Sequence, residues 1–136
     1  MRQSIIQTLN LPQCKLAPSK ILNAGVGVFA LTDIPEGYPL FGPKGFSYHI
    51  TWEEVSCIPF SVKQHIRSVC HCDGSGFWLD GCLDKIDMSY YVNHSESPNL
   101  THDQNSDVFY AAKDIKEGEE LTCLYPVAEN TSPFLS

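Results

Sequence analysis

Apolar residues occur along this chain in short runs, which glycine, proline and polar residues separate. Runs of this length and composition are typical of strands connected by tight turns. Pro39 restricts one of these strands to the edge of a sheet, because proline cannot donate a backbone hydrogen bond. The runs that predict strands are ILNAGVGVFAL, YPLFG, FWLDG and DVFYAA. The pattern therefore predicts a β-rich domain.

The segment 51–69 carries the helical part of the pattern. TWEE (51–54) and SVKQ (61–64) each fit a capping box, in which two side chains satisfy backbone donors at the start of a helix. Pro59 either ends the first helix or starts the second. SYYV (89–92) fits the end of a short helix or a strand. One face of the second helix carries apolar residues at helical spacing: Val62, Ile66 and Val69.

Residues 29–40 and 110–121 have related sequences, FALTDIPEGYPL and YAAKDIKEGEEL. Both fit the pattern aromatic-Ala-x-x-Asp-Ile-x-Glu-Gly-x-x-Leu, which predicts a strand, a tight turn and another strand. Gly37 and Gly118 supply the positive φ that such turns require. Because the pattern occurs in only two copies, a solenoid is excluded.

The length of 136 residues predicts one domain with one hydrophobic core. The chain has no apolar stretch of the roughly 18 residues that cross a membrane, and its N-terminus has no apolar signal-peptide region. We therefore expect an intracellular protein, in the nucleus or cytoplasm, with reduced cysteines. The acid-free N-terminus leaves an organelle transit peptide open. Sequons begin at Asn93, Asn99 and Asn130, and we interpret them as chance matches.

The net charge of −7 argues against direct nucleic-acid binding, which usually uses a basic face. An acidic domain suits a basic partner such as a Lys-rich peptide, although the charge also serves solubility. The charge therefore indicates a basic partner but does not distinguish it from a role in solubility.

Several catalytic or metal sites can be weighed from motifs. Cys70-His71-Cys72 has the spacing of half a zinc site, but no second ligand pair follows, so we predict no metal and buried thiols. GVGVFA fits the dinucleotide fingerprint, yet Pro35 forbids the helix that this site requires. The chain has no nucleophile elbow and no P-loop. Gly25 and Gly27 of GVGVFA still permit close approach of the backbone to a ligand or a neighbouring strand.

The stretch YYVNHSESPNL (90–100) is rich in turn-forming residues and has His94 in its middle. A solvated loop is the simplest interpretation. Such a turn is also held rigid where side chains bond to the backbone, and its amides suit a polar small molecule. The residues of this stretch alone leave these three alternatives open.

Three motifs in order, GVGVFA, NHSESPN and GEELTCLY, resemble those of the SET-domain protein lysine methyltransferases. The run FWLDGCLDKIDMSYYVNHS also resembles that family. The resemblance implies a SET domain over 21–126, an N-terminal lead-in over 1–20 and a short C-terminal tail over 127–136. The implied fold is β-rich α+β, with small curved β-sheets around a C-terminal pseudoknot, β-clip-like, and a short helical insert around 51–69.

The resemblance implies transfer of a methyl group from S-adenosylmethionine to a lysine amine of a protein, such as a histone tail. It assigns Tyr125 to the methyl-transfer point. The implied cofactor-binding residues are Gly25, Val26, Gly27, Val28, Tyr91, Asn93 and His94. Asn99 is expected to shape the turn, and Glu120 to serve the pseudoknot.

This chain departs from the family pattern in places. Cys123 and Leu124 stand where the family often has an aromatic residue and Asp, and Tyr90 and Ala24 replace basic residues. After Tyr125 only the tail remains, with Phe134 as its aromatic residue. Three alternatives stay open: a homodimer in which a second subunit completes the site, a tail that folds over the site, and a catalytically weak or inactive SET module that binds a protein partner.

Overall fold

The computed structural model describes residues 2–42 and 48–125, which separate into two compact units. The first unit comprises residues 2–42 and 91–125, and the second comprises residues 48–90. The elements in chain order are α1 (Arg2–Thr8), β1 (Cys14–Pro18), β2 (Val26–Ala30), β3 (Pro39–Leu40), β4 (Tyr48–Thr51), α2 (Phe60–Val69), β5 (Gly76–Leu79), two 3-10 helices (Leu83–Lys85 and Met88–Tyr91), β6 (Asn93–His94), β7 (Leu100–Asp103), β8 (Val108–Ala111) and β9 (Glu120–Cys123).

The larger sheet of the first unit has the strand order β1-β2-β9-β6. β2 pairs antiparallel with β1 and with β9, whereas β6 pairs parallel with β9. The last strand in the sequence therefore lies inside the sheet, between strands that carry the other two motifs. Small sheets with few helices confirm the predicted fold class.

A second sheet in the first unit has the order β3-β8-β7. Pro39 lies in β3, at the edge of this sheet, as its missing backbone donor predicts. β7 and β8 form a hairpin in which Leu100 pairs with Ala111 and Asp103 pairs with Val108. The polar composition of residues 102–107 predicts a loop, and part of that segment belongs to β7.

The two related sequences bind each other through their turns. Ile34 N donates to Ile115 O at 2.7 Å, and Ile115 N donates to Ile34 O at 2.8 Å. Both isoleucine side chains are completely buried. The repeat in the sequence thus corresponds to a reciprocal pair of turns in the core of the first unit.

Two carboxylates and two glycines complete this pair of turns. Asp33 accepts a hydrogen bond from the Glu117 amide, and Asp114 accepts one from the Glu36 amide, both at 2.8 Å. The turn glycines have the predicted positive φ and bind strands of the other half: Gly37 (φ 83°) and Gly118 (φ 89°). Each turn is therefore capped by the other. One turn connects β2 to β3, and the other connects β8 to β9.

The second unit contains the antiparallel pair β4-β5 and helix α2. Phe77 is buried and lies 5.0 Å from the Trp52 ring, centroid to centroid. The apolar face of α2 buries Ile66 and Val69, as the spacing predicted. The helical insert around 51–69 is therefore confirmed for its second half.

The prediction of a first helix at Thr51 was wrong. The capping box itself forms, because Glu54 Oε1 accepts from Thr51 N at 2.9 Å and Thr51 Oγ1 accepts from Glu54 N at 3.2 Å. Residues 52–57 nevertheless form turns. A residue before proline disfavours helical backbone, so the segment before Pro59 is too short to propagate a helix. α2 then begins at Phe60 without a side-chain cap.

The lead-in contains elements that we did not predict. β1 pairs with β2 from Cys14↔Ala30 to Pro18↔Val26, so the sheet begins before residue 21. Its apolar alternation covers only a few residues, and long-range pairing with β2 defines it instead. The division of the chain at residue 21 stays a prediction. The tail over 127–136, including Phe134, lies outside the described residues.

SYYV adopts the helical alternative, as the 3-10 helix before β6. No helix in the described part of the chain has the length and apolarity to span a membrane.

The paired turns predict the stability of the first unit. Ile34→Ala and Ile115→Ala should each lower the free energy of unfolding by about 2–5 kcal/mol, because each leaves a cavity in a core without solvent. Ile5→Ala, at a side chain that is 55% exposed, should change it by less than about 0.5 kcal/mol. Denaturant titration measures all three, and equal small losses for the three variants would contradict the assignment of the turns to the core.

Candidate functional site

The Asn-His-Ser turn and the C-terminal motif are joined strand to strand. In the parallel pair β6-β9, Asn93 lies opposite Thr122 and His94 lies opposite Cys123. Just after β6, Ser95 N donates to Cys123 O at 3.0 Å. Backbone pairing therefore brings two motifs together that lie far apart in the sequence.

The buried side chain of Asn99 extends this pairing. Thr122 N donates to Asn99 Oδ1 at 2.8 Å, and Asn99 Nδ2 donates to Glu120 O at 2.9 Å. The amide thus satisfies one donor and one acceptor of β9, as a neighbouring strand would. Ser97 N also donates to Ser95 Oγ at 3.0 Å. Of the three alternatives for the turn, these bonds support a rigid turn held by side chains.

Asn93 joins the first motif to the other two. Its Nδ2 donates to Val26 O at 3.0 Å and to Glu120 Oε2 at 3.1 Å. Both partners are acceptors, so they determine which end of the amide is nitrogen. Because both amide hydrogens are used within the protein, the remaining hydrogen-bonding atom is the acceptor Oδ1.

Position 27 has no room for a side chain in this arrangement, so it requires glycine. A Cβ at position 27 would overlap Glu120 Oε2 and lie 2.9 Å from Glu120 Cδ and 3.2 Å from Asn93 Nδ2. Gly25, by contrast, has open space around it and a φ of +75° that favours glycine. The close approach expected at the first motif is therefore realised with the Glu120 side chain.

His94 binds the backbone of Tyr125. Tyr125 N donates to His94 Nδ1 at 2.9 Å, so Nδ1 carries no proton. The proton lies on Nε2, 3.1 Å from Glu96 Oε1, which accepts it. The two rings are 5.4 Å apart between centroids. The imidazole therefore holds the end of the C-terminal motif beside the turn.

The Tyr125 hydroxyl donates to Val92 O. Burial raises the pKa of Tyr125 to about 12, and the Cys123 thiol contributes in the same direction. The phenol is therefore neutral at physiological pH. Its donor is used by the protein, which leaves the oxygen lone pairs as acceptors. The residue as a whole is 44% exposed, so the site is open to solvent on one side.

The residues predicted for the site differ in how closely they meet. Asn93 contacts the first motif directly, and His94 contacts the backbone of Tyr125 directly. Val26 offers its carbonyl to Asn93 and is 43% exposed, whereas Val28 is completely buried and belongs to the core. Tyr91 is half-buried at the end of its 3-10 helix. The cofactor-binding role of all these residues stays a prediction.

Sequence reasoning missed the role of Glu120 at the site. The family resemblance implies a role in the pseudoknot, and in the structure the carboxylate also contacts Asn93 and the lead-in residue Ser19, at 2.7 Å from Ser19 Oγ. The adjacent Glu119 instead accepts from Lys116 N within its own turn, at 2.8 Å. Nothing in the Glu-Glu pair of the sequence distinguishes these two roles.

The Cys-His-Cys segment lies in the second unit. Among the described residues, no group of three or more His, Cys, Asp or Glu side chains is arranged to hold a metal ion. Burial raises the pKa of Cys70 to about 12 and that of Cys72 to about 11. Cys70 is buried and Cys72 is half-buried, which agrees with the predicted thiol role.

The solved structures that resemble this chain include several of Polycomb Repressive Complex 2. A humanized mutant of the Chaetomium thermophilum Polycomb Repressive Complex 2 bound to an inhibitor is 28% identical, with a TM-score of 0.59, over 93% of this chain and 16% of that chain. The same complex in an autoinhibited conformation bound to S-adenosylmethionine is 27% identical, with a TM-score of 0.58, over 96% of this chain and 17% of that chain.

A third structure holds that complex with trimethylated and Lys-to-Met forms of histone H3, at 26% identity and a TM-score of 0.56. It covers 90% of this chain and 15% of that chain. This chain therefore spans about one sixth of the length of the chains that it matches. No curated protein matches the sequence.

Small sheets whose last strand lies beside an Asn-His-Ser turn define the class of protein as one with a SET fold. The SET domain family model matches residues 25–126, which is most of the chain. The chain belongs to the SET domain family, and the predicted resemblance is confirmed.

The environment of Tyr125 predicts its titration. The phenol pKa is raised above the ordinary value of 10, so its contribution to stability is complete below pH 10 and is lost as pH rises toward about 12. The tyrosinate absorbance of the wild type minus that of Tyr125→Phe should have its midpoint near pH 12. A difference spectrum with a midpoint at or below pH 10 would show instead that the hydroxyl is solvated.

Proposed function

We propose that this protein is an S-adenosylmethionine-dependent protein lysine methyltransferase. The observation that carries the proposal is the meeting of Asn93, His94 and Tyr125 through the pair β6-β9. Three motifs that resemble the cofactor and catalytic motifs of one family are thus in contact. The family assignment and a relative bound to S-adenosylmethionine support this cofactor.

The residues present fit the cofactor in their chemistry. S-adenosylmethionine, when bound, supplies an electrophilic methyl group on a positively charged sulfur and carries an amino and a carboxylate group. Asn93 retains an acceptor, Oδ1, which suits the amino group. Val26 brings its backbone carbonyl to the same side chain, since Asn93 Nδ2 lies 3.0 Å from Val26 O. In this proposal these residues bind and orient S-adenosylmethionine.

Tyr125 is the proposed catalytic residue. A lysine amine must lose a proton before it attacks, because an ammonium ion has no lone pair, and its ordinary pKa is about 10.4. The neutral phenol already donates to Val92 O, so its oxygen can accept an N–H of the neutral amine. That bond would direct the amine lone pair, which is the positioning that a single in-line displacement requires.

We infer a lysine in a basic protein or peptide as the substrate. The net charge of −7 suits such a partner. A histone tail is the specific candidate, since a similar complex was solved with forms of histone H3. An intracellular location, without direct nucleic-acid or membrane binding, fits this substrate class. A homodimer that completes the lysine channel stays a prediction.

A second candidate is a catalytically weak or inactive SET module that binds a protein partner. Leu124 and Tyr125 are 56% and 44% exposed, and an exposed apolar residue beside the aromatic ring suits a protein contact. Cys123 and Leu124 stand where the family often has an aromatic residue and Asp. In this candidate the protein transfers methyl groups weakly or not at all.

Radiolabelled methyl transfer to a panel of basic proteins separates the two candidates. We expect the wild type to label at least one panel member, and Tyr125→Phe to lose about 100-fold or more of that rate, because the variant lacks the oxygen that orients the amine. Tyr110→Phe, in β8, makes the same chemical change away from the site and should retain activity.

Isothermal titration accompanies this assay, and Tyr125→Phe should bind S-adenosylmethionine as the wild type does. Equal turnover of the wild type and Tyr125→Phe would remove Tyr125 from its role. Cofactor or protein binding without any labelling would favour the inactive module.

A further inference from the structure

The carboxylate of Glu120 is a meeting point of separate segments. It accepts hydrogen bonds from Ser19 Oγ at 2.7 Å and Lys20 N at 3.0 Å, both in the lead-in. It also accepts from Asn93 Nδ2 at 3.1 Å, in the Asn-His-Ser turn. All three donors are uncharged groups, and hydrogen bonds to a carboxylate are stronger than those between neutral groups.

The two oxygens of this carboxylate have different partners. Oε2 accepts from both Ser19 and Asn93, whereas Oε1 accepts from the backbone amide of Lys20. Only a group with two acceptor oxygens and no hydrogen serves all three donors. The charge and the geometry of glutamate are therefore both used.

The sheet positions the carboxylate beside Gly27. Glu120 pairs with Phe29 across β2 and β9. The space that a side chain at position 27 would occupy is filled by Glu120 Cδ and Oε2. Any residue larger than glycine would displace the carboxylate from Asn93. The second glycine of the first motif is thus explained by Glu120.

We propose that Glu120 is a positioning residue of the cofactor site, and that the Ser19–Lys20 segment is coupled to the site through it. Glu120 fixes the Asn93 amide with its hydrogens directed into the protein, so that Oδ1 is presented to the ligand. This proposal rests on the proposed function, because it assumes that Asn93 binds S-adenosylmethionine.

Glu120→Gln tests the proposal with little change in shape. Glutamine has one acceptor oxygen and one NH₂ group, so at least one of the three donors must face another donor. We expect the Kd for S-adenosylmethionine to rise about tenfold, with kcat at saturating cofactor changed less than about twofold. Ser19→Ala removes one donor and should raise the Kd about threefold. Glu119→Gln is the matched control and should leave the Kd unchanged.

A second readout does not depend on the cofactor. The Asn93 side-chain NH₂ signals in the nuclear magnetic resonance spectrum, assigned by their loss in Asn93→Asp, should shift and exchange faster with water in Glu120→Gln. In Glu119→Gln they should stay as in the wild type. A merely structural role would lower the unfolding midpoint of Glu120→Gln without changing the Kd of the folded protein.

The outcomes are distinguishable. A shifted Asn93 signal with a weaker Kd and an unchanged kcat supports the proposal. A shifted signal with an unchanged Kd overturns it while the proposed function stands. Unchanged Asn93 signals overturn it at the level of the contact. A wild type that binds no S-adenosylmethionine overturns both the proposed function and the positioning role, even if the Asn93 signals shift.

Discussion

The position of β9 between β2 and β6 is the constraint on which the rest of the first unit depends. Its backbone groups pair with β2 on one side and with β6 on the other, and the Asn99 amide satisfies the groups of Thr122 and Glu120. Buried backbone groups without partners cost free energy, so the strand is held where both neighbours can pair with it. This backbone pairing brings Asn93 and His94 next to the C-terminal motif.

The reciprocal turns determine how the chain reaches β9. Ile34 and Ile115 exchange both backbone hydrogen bonds, and Gly118 donates to Ala30 O at 2.8 Å, close to the point where β2 and β9 pair. The turn that precedes β9 is thus anchored to the other half of the unit before the strand begins. This anchoring fixes the register that places Glu120 beside Gly27, and with it the orientation of Asn93.

Features with local physical causes could be predicted from the sequence. The φ > 0 glycines Gly37 and Gly118, the apolar face of α2 and the edge position of Pro39 each follow from the residue itself or its near neighbours. β1 could not be predicted, because its pairing with β2 is long-range. The prediction of a first helix was wrong because Pro59 follows the segment too closely, although the capping box at its start forms. The meeting of the motifs came from a family resemblance, since periodicity does not reveal a last strand inside a sheet. The contact of Glu120 with Asn93 had no signal in the sequence.

The central claim is that the three motifs form one cofactor site. The most direct measurement is a titration of the isotope-labelled protein with S-adenosylmethionine, followed through backbone amide signals. We expect the signals of residues 25–28, 93–94 and 125 to shift together with one Kd, and those of the hairpin turn at 104–107 to stay unchanged. Shifts confined to one motif, or no shifts at millimolar cofactor, would contradict it.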